Sequence, residues 1–146
     1  MLDEPTSGLD AIARRNVWSA LREMVEEGKT ILMTTHNMEE AEMISDRLAI
    51  INRGRLIAEG APETIKSLVN EKYRVVLEGK KERFSVFKDN YGMMVGDRYI
   101  LYIENENDAA NLMKEALKNG LRANISPVTL EDVFLKLAGG FNNENN

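Results

Sequence analysis

The chain contains no cysteine, which excludes a disulfide framework and any thiolate metal site and fits a cytoplasmic protein. It contains no apolar run near the roughly 20 residues that a membrane-spanning helix requires. No basic segment followed by an apolar one opens it, so no signal peptide is read there. Basic residues are outnumbered, giving a net charge of -5. A general nucleic-acid binder rests on a basic surface, so that class is set aside. No internal repeat is present. Also missing is any Gly-x-x-x-x-Gly-Lys-Ser/Thr run, the loop whose backbone amides and lysine cradle a triphosphate. What remains is the composition of a globular protein, with 43% hydrophobic and 29% charged residues among 146. That length accommodates one ordinary domain or two small ones.

The most informative stretch is Met1-Leu2-Asp3-Glu4-Pro5-Thr6-Ser7-Gly8-Leu9-Asp10. Two carboxylates follow a short apolar strand, Pro5 then removes a backbone donor, and Ser7-Gly8 supplies a turn. Neighbouring residues at a strand end face opposite ways, so Asp3 and Glu4 take different tasks. An isolated Asp-Glu pair is usually a solvated strand end. The same geometry also suits phosphoryl transfer, in which one acid holds magnesium and the other orients the attacking water.

From Asp10 to Glu27 the period is helical, with Val17, Leu21, Met24 and Val25 on one stripe, Asp10 as cap and Gly28 as stop. Trp18 lies beside the stripe, as edge-of-core packing. Lys29 to Thr35 reads as a buried strand, parallel to the one containing Leu2. The one histidine, His36, follows at its carboxyl end, where open α/β sheets place their ligands. A lone histidine is more often structural than catalytic. Asn37-Met38-Glu39-Glu40 is a capping box opening a short helix whose apolar face is Met38, Ala41 and Ile44. Glu39, Glu40 and Glu42 then form a solvated helix face rather than a metal site. Leu48–Asn52 and Arg55–Glu59 form a hairpin through Arg53-Gly54. Pro62 starts a further helix bearing Ile65, Leu68 and Val69.

Composition shifts near Asn70-Glu71-Lys72, which sets domains at 1–70 and 71–140, with a disordered Asn-rich tail at 141–146. In the second domain, Tyr73–Leu77, Arg83–Phe87 and Tyr99–Glu104 read as strands, with turns at Asp89-Asn90-Tyr91-Gly92 and Gly96-Asp97. Asp108 caps a helix to Asn119 that turns Leu112, Met113, Ala116 and Leu117 inward, and Gly120 stops it. Leu121–Ser126 is a strand. Thr129 caps a last helix bearing Leu130, Val133, Phe134 and Leu137, and Gly139-Gly140 ends it. The candidate core is Val75, Leu77, Phe84, Val86, Ile100, Tyr102, Leu112, Leu117, Val133 and Phe134. This is a small α+β module following an α/β segment.

The stretch Leu-Asp-Glu-Pro-Thr-Ser-Gly-Leu-Asp at 2–10 closely resembles the Walker B end and D-loop of the ATPase subunits of ATP-binding cassette transporters. Thr34-Thr35-His36 is similar to that family's switch-histidine segment, and Ser45-Asp46-Arg47-Leu48 and Gly60-Ala61-Pro62-Glu63 extend the likeness. Thr129-Leu130-Glu131-Asp132-Val133-Phe134-Leu135 resembles the closing segment of the drug-exporter (daunorubicin-resistance-like) type. The phosphate loop, the Q-loop and the Leu-Ser-Gly-Gly-Gln signature, which precede Walker B in the family, are not in this sequence. The resemblance therefore implies the back part of a P-loop NTPase domain, with parallel strands, plus an accessory α+β domain.

For the intact subunit the resemblance implies ATP and magnesium as cofactors. It assigns magnesium to Asp3, largely through water, the general base to Glu4 and a γ-phosphate sensor to His36. It places Ser7, Gly8, Leu9 and Asp10 against a second ATPase subunit, and it implies a transmembrane permease as partner at the inner face of the cell membrane. No nucleotide is expected on this chain alone, which is expected to be inactive and to self-associate through the strand of Leu2 or Ile31-Leu32-Met33. Two other readings compete: a non-catalytic dimerisation or regulatory module of such an ATPase, and a related cassette of DNA maintenance. The segment Asp46 to Gly54, the exporter-like ending and the acidic balance favour transport.

Overall fold

The computed structural model describes residues 1–87 and 92–138. They fall into two compact units, one comprising Met1–Ile65 with residues 134–138, the other Lys66–Val133. The turn expected at Asp89–Tyr91, the Gly139-Gly140 stop and the tail lie outside the described residues. The fold is α/β, with both parallel and antiparallel pairing.

In the first unit, β1 (Leu2–Asp3) pairs in parallel with β2 (Met33–Thr34), matching Leu2 to Met33 and Asp3 to Thr34. Between them runs α1 (Ala11–Glu26), capped as its sequence dictates: Asp10 Oδ1 accepts from the backbone amides of Ile12 and Ala13. Gly28, at φ 87°, carries the chain out of the helix. Of the expected stripe, Leu21 is buried while Met24 is exposed.

The strand expected to be buried over Lys29–Thr35 is shorter and more open. Only Met33 and Thr34 are in β2, and Leu32 is 65% exposed. Two residues per strand cannot cover both faces, and among the described residues β1 and β2 pair only with each other. α2 (Met38–Ile44) follows, then β3 (Leu48–Asn52) and β4 (Arg55–Gly60), an antiparallel hairpin whose turn places Arg53 at φ 50° and Gly54 at φ 73°. α3 (Pro62–Lys66) has Pro62 at its start and Ile65 fully buried. Leu68, expected on that helix, lies past its end and is exposed.

The second unit is organised on β5 (Tyr73–Glu78), which pairs antiparallel with both β7 (Arg98–Ile103) and β8 (Arg122–Pro127). β6 (Gly92–Val95), not foreseen from the sequence, adds to β7 across the Gly96-Asp97 turn. Alternation puts Val75 and Leu77 of β5 on one face, with Tyr99 and Leu101 of β7. α4 (Glu106–Lys118) completes that core with Ala109, Leu112 and Ala116. Burying each large apolar side chain here stabilises the unit by about 1.5–3 kcal/mol.

Three expectations change in this unit. Arg83–Phe87 is part of a 3₁₀ helix, Lys81–Phe87, rather than a strand. Phe84 and Phe87 are three residues apart, so a three-residue turn sends both into the core, where Phe84 stacks on Tyr99 at 5.8 Å between ring centroids. Val86 falls off that side and is exposed, as is Leu117 of α4. The cap of α4 is Asn105, whose Oδ1 accepts from the Asp108 amide, so Asp108 sits in the first turn. α5 (Leu130–Leu137) opens with a reciprocal capping box between Thr129 and Asp132.

Candidate functional site

β1 and β2 end side by side, so parallel register delivers Asp3 and Glu4 beside Thr34 and His36. The Glu4 amide donates to the Thr34 carbonyl oxygen at 3.0 Å, continuing the ladder one step past the strand. The Thr34 hydroxyl donates to Asp3 Oδ1. Beyond it, His36 Nδ1 lies 2.9 Å from Glu4 Oε1. Both side chains are open to water, 76% exposed for His36 and 44% for Glu4. The first carboxylate thus turns to a hydroxyl and the second to an imidazole, the division of direction that adjacent strand-end residues impose.

Glu4 has φ 44°, the left-handed region that a non-glycine residue enters only under constraint. Holding a residue there costs on the order of 1–3 kcal/mol. The chain is bent at this point by two successive turns, Ser7 N to Glu4 O at 3.0 Å and Leu9 N to Thr6 O at 3.2 Å, with Gly8 at φ 75°. Ser7 and Gly8 are exposed and Leu9 is half-buried. Asp10 Oδ1 is taken up as acceptor by the first amides of α1.

Behind this exposed edge is a buried polar knot that the sequence did not reveal. Glu40, assigned above to a solvated helix face, is fully buried. Its Oε1 accepts from the Thr6 hydroxyl at 2.8 Å and from Trp18 Nε1 at 2.9 Å. The capping box of α2 is consequently one-sided: Asn37 Oδ1 accepts from the Glu40 amide, and the Glu40 carboxylate does not return to Asn37. Trp18 is an anchoring donor as well as packing. A signal was present, because an indole N–H needs an acceptor when covered and Glu40 borders the apolar face of Ala41 and Ile44.

No group of three or more His, Asp or Glu side chains placed to hold a metal occurs among the described residues. Asp3 is exposed and engages Thr34 through one oxygen. Such a lone carboxylate suits a magnesium ion that draws its other ligands from water and phosphate. No helix among the described residues is long and apolar enough to cross a membrane.

No family model matches the chain. Among curated proteins, it is similar to Nod factor export ATP-binding protein I of Burkholderia lata, 41% identical over 144 residues, 95% of this chain and 46% of that protein. The protein of the same name from Neorhizobium galegae is 38% identical over 143 residues, 95% of this chain and 41% of the relative. That of Rhizobium etli is 36% identical over 143 residues, covering 95% and 45%. The chain therefore spans about half the length of the curated relatives it matches. The likeness to ATPase subunits of ATP-binding cassette transporters holds along nearly the whole sequence, and these relatives are named for export, not for DNA maintenance.

Proposed function

We propose that this chain is the catalytic-base and switch-histidine portion of the ATP-hydrolysing subunit of an export transporter. The observation that carries this reading is the contact of 2.9 Å between Glu4 and His36 at the shared end of two parallel strands. Glu4 orients the attacking water and takes its proton, and His36 reads the γ-phosphate. Asp3 holds magnesium, which when bound neutralises charge on the phosphates. Ser7 to Asp10 face a second ATPase subunit, and a membrane permease supplies the transport path. The fold would be the back part of a P-loop NTPase domain, with residues from about 71 onward an accessory domain, at the inner face of the membrane. Positioning and charge stabilisation dominate such chemistry, so little covalent work falls to the protein.

The sequence carries no phosphate loop, and Asp3 with Glu4 repels a triphosphate, so the chain by itself neither binds ATP tightly nor hydrolyses it. A chimera tests the reading: this chain replaces the matching 46% of the Burkholderia lata relative. ATP hydrolysis by the folded chimera, abolished by Glu4→Gln with nucleotide binding retained, is the expected result. A folded chimera that binds ATP and hydrolyses it equally well with Gln at position 4 would overturn the assignment.

A further inference from the structure

We propose that Glu40 is a positioning residue, a buried carboxylate that holds the Glu4–Gly8 loop and the His36 segment in register with each other. The inference deepens the proposed function and rests on it for the role of the two ends it joins. Three separate elements meet on one oxygen. Thr6, itself buried, belongs to the loop immediately after Glu4; Trp18 belongs to α1; and Glu40 is in the first turn of the helix whose cap, Asn37, directly follows His36.

The exposed partners cannot fix their own geometry. Glu4 and His36 meet in water, where an ion pair or hydrogen bond is weak and the side chains are free to leave it. The β1–β2 ladder sets the two segments side by side, and on the covered side the bridge from Thr6 to Glu40 links them again, as a buried side-chain hydrogen bond. Stability alone does not account for this residue. Glu40 Oε2 is buried without a hydrogen-bond partner among the described residues. Leaving a carboxylate oxygen so is unfavourable, so part of what the carboxylate gains from its two donors is offset by its own burial. What the carboxylate supplies, and a leucine does not, is an acceptor able to take two donors from two directions at once.

The sequence has one tryptophan and one histidine, so each gives an unambiguous NMR reporter in the full chain. We would compare Glu40→Gln, Glu40→Ala and Thr6→Val with the parent chain. The readouts are Trp18 indole exchange, exchange of the Glu4, Ser7 and Leu9 amides, and the His36 ring signals. Thr6→Val removes one hydroxyl and keeps shape. It should leave the Trp18 indole protected, speed the loop amides at least tenfold and move the His36 ring signals. Glu40→Ala should do the same and also speed indole exchange at least tenfold. Glu40→Gln keeps an acceptor for both donors and should stay within about twofold of the parent on every readout. Unmoved loop amides and His36 signals in Thr6→Val would overturn the proposal, leaving Glu40 as local packing. So would a Gln variant as perturbed as the Ala variant. If Glu40→Ala does not fold, the other two variants decide. No nucleotide enters these measurements, so failure here leaves the ATPase reading standing, and an inactive chimera leaves this one standing.

Discussion

Glu4 and His36 are 32 positions apart in sequence and 2.9 Å apart at Oε1 and Nδ1. An ionised carboxylate only accepts, so in this contact Nδ1 carries the proton and donates. A neutral imidazole so arranged has an accepting Nε2. It can donate to a phosphate oxygen only after taking a second proton or after releasing Glu4. Taking the second proton leaves Nδ1 donating to Glu4 in an ion pair, whereas releasing Glu4 lets the ring change tautomer.

Glu4→Gln and His36→Ala should separate activity from stability. In the chimera each is expected to lower ATP turnover, Glu4→Gln by about 10²–10⁴-fold, the usual worth of a general base. In the isolated chain the same changes should alter unfolding free energy by no more than about 0.5 kcal/mol, because the pair is exposed. Urea titration followed through Trp18 fluorescence checks the second half. A large stability loss would mean that the contact is structural.

Tyr102 predicts an alkaline limit to stability. Burial and the hydrogen bond it donates to Asp132 Oδ1 at 2.8 Å both push its phenol well above the ordinary value of 10.0. In the unfolded chain the phenol ionises near that ordinary value, while in the folded protein it stays protonated. Its contribution is therefore complete below about pH 10 and is lost as pH rises beyond it towards the folded value. Tyr102→Phe removes the ionisable group. The melting temperature of the parent chain should fall more steeply above pH 10 than that of the variant, by differential scanning fluorimetry.

Residues 71–140, which hold most of the second unit, should fold alone. Its sheet buries Val75, Leu77 and Leu101 completely against α4, and the start of α5 is tied down by Thr129 and Asp132. A polypeptide of residues 71–140 is expected to give a dispersed amide spectrum and a cooperative urea transition. Leu101→Ala in it should cost about 2–5 kcal/mol, the usual range for a fully buried leucine. A broad, collapsed spectrum would show that the segment depends on the rest of the chain.

The pair β1–β2 should draw a second copy. Leu2, in β1, is 37% exposed and Leu32, just before β2, 65%, beside strand edges that are unpaired among the described residues. Open edges with apolar side chains recruit another strand. Light scattering over a concentration series should show a mass rising above 16.5 kDa in the tens of micromolar, suppressed by Leu32→Lys. A constant monomer mass would refute this.

Local chemistry was written in single short segments. Asp10 before an apolar period is a helix start, Arg53-Gly54 between two strands is a hairpin, and Thr129 before Leu130 is a cap, because each depends on atoms a few residues away. The strand ends carrying Asp3, Glu4 and His36 were legible for the same reason, as was the parallel pairing that a crossing helix requires. Other features depended on what arrives from far along the chain. Asn105 and Asp108 are both good caps, and packing of Ala109, Leu112 and Ala116 chose the earlier one. Lys81–Phe87 holds residues fit for a strand, and the demand for both phenylalanines in one core made it helical. Glu40 shows the difference most clearly. By sequence it belongs to an acidic helix face, and only its place beside Ala41 and Ile44 hints otherwise. Its burial is decided by a hydroxyl 34 positions away and an indole 22 positions away, which only the folded chain brings to the same oxygen.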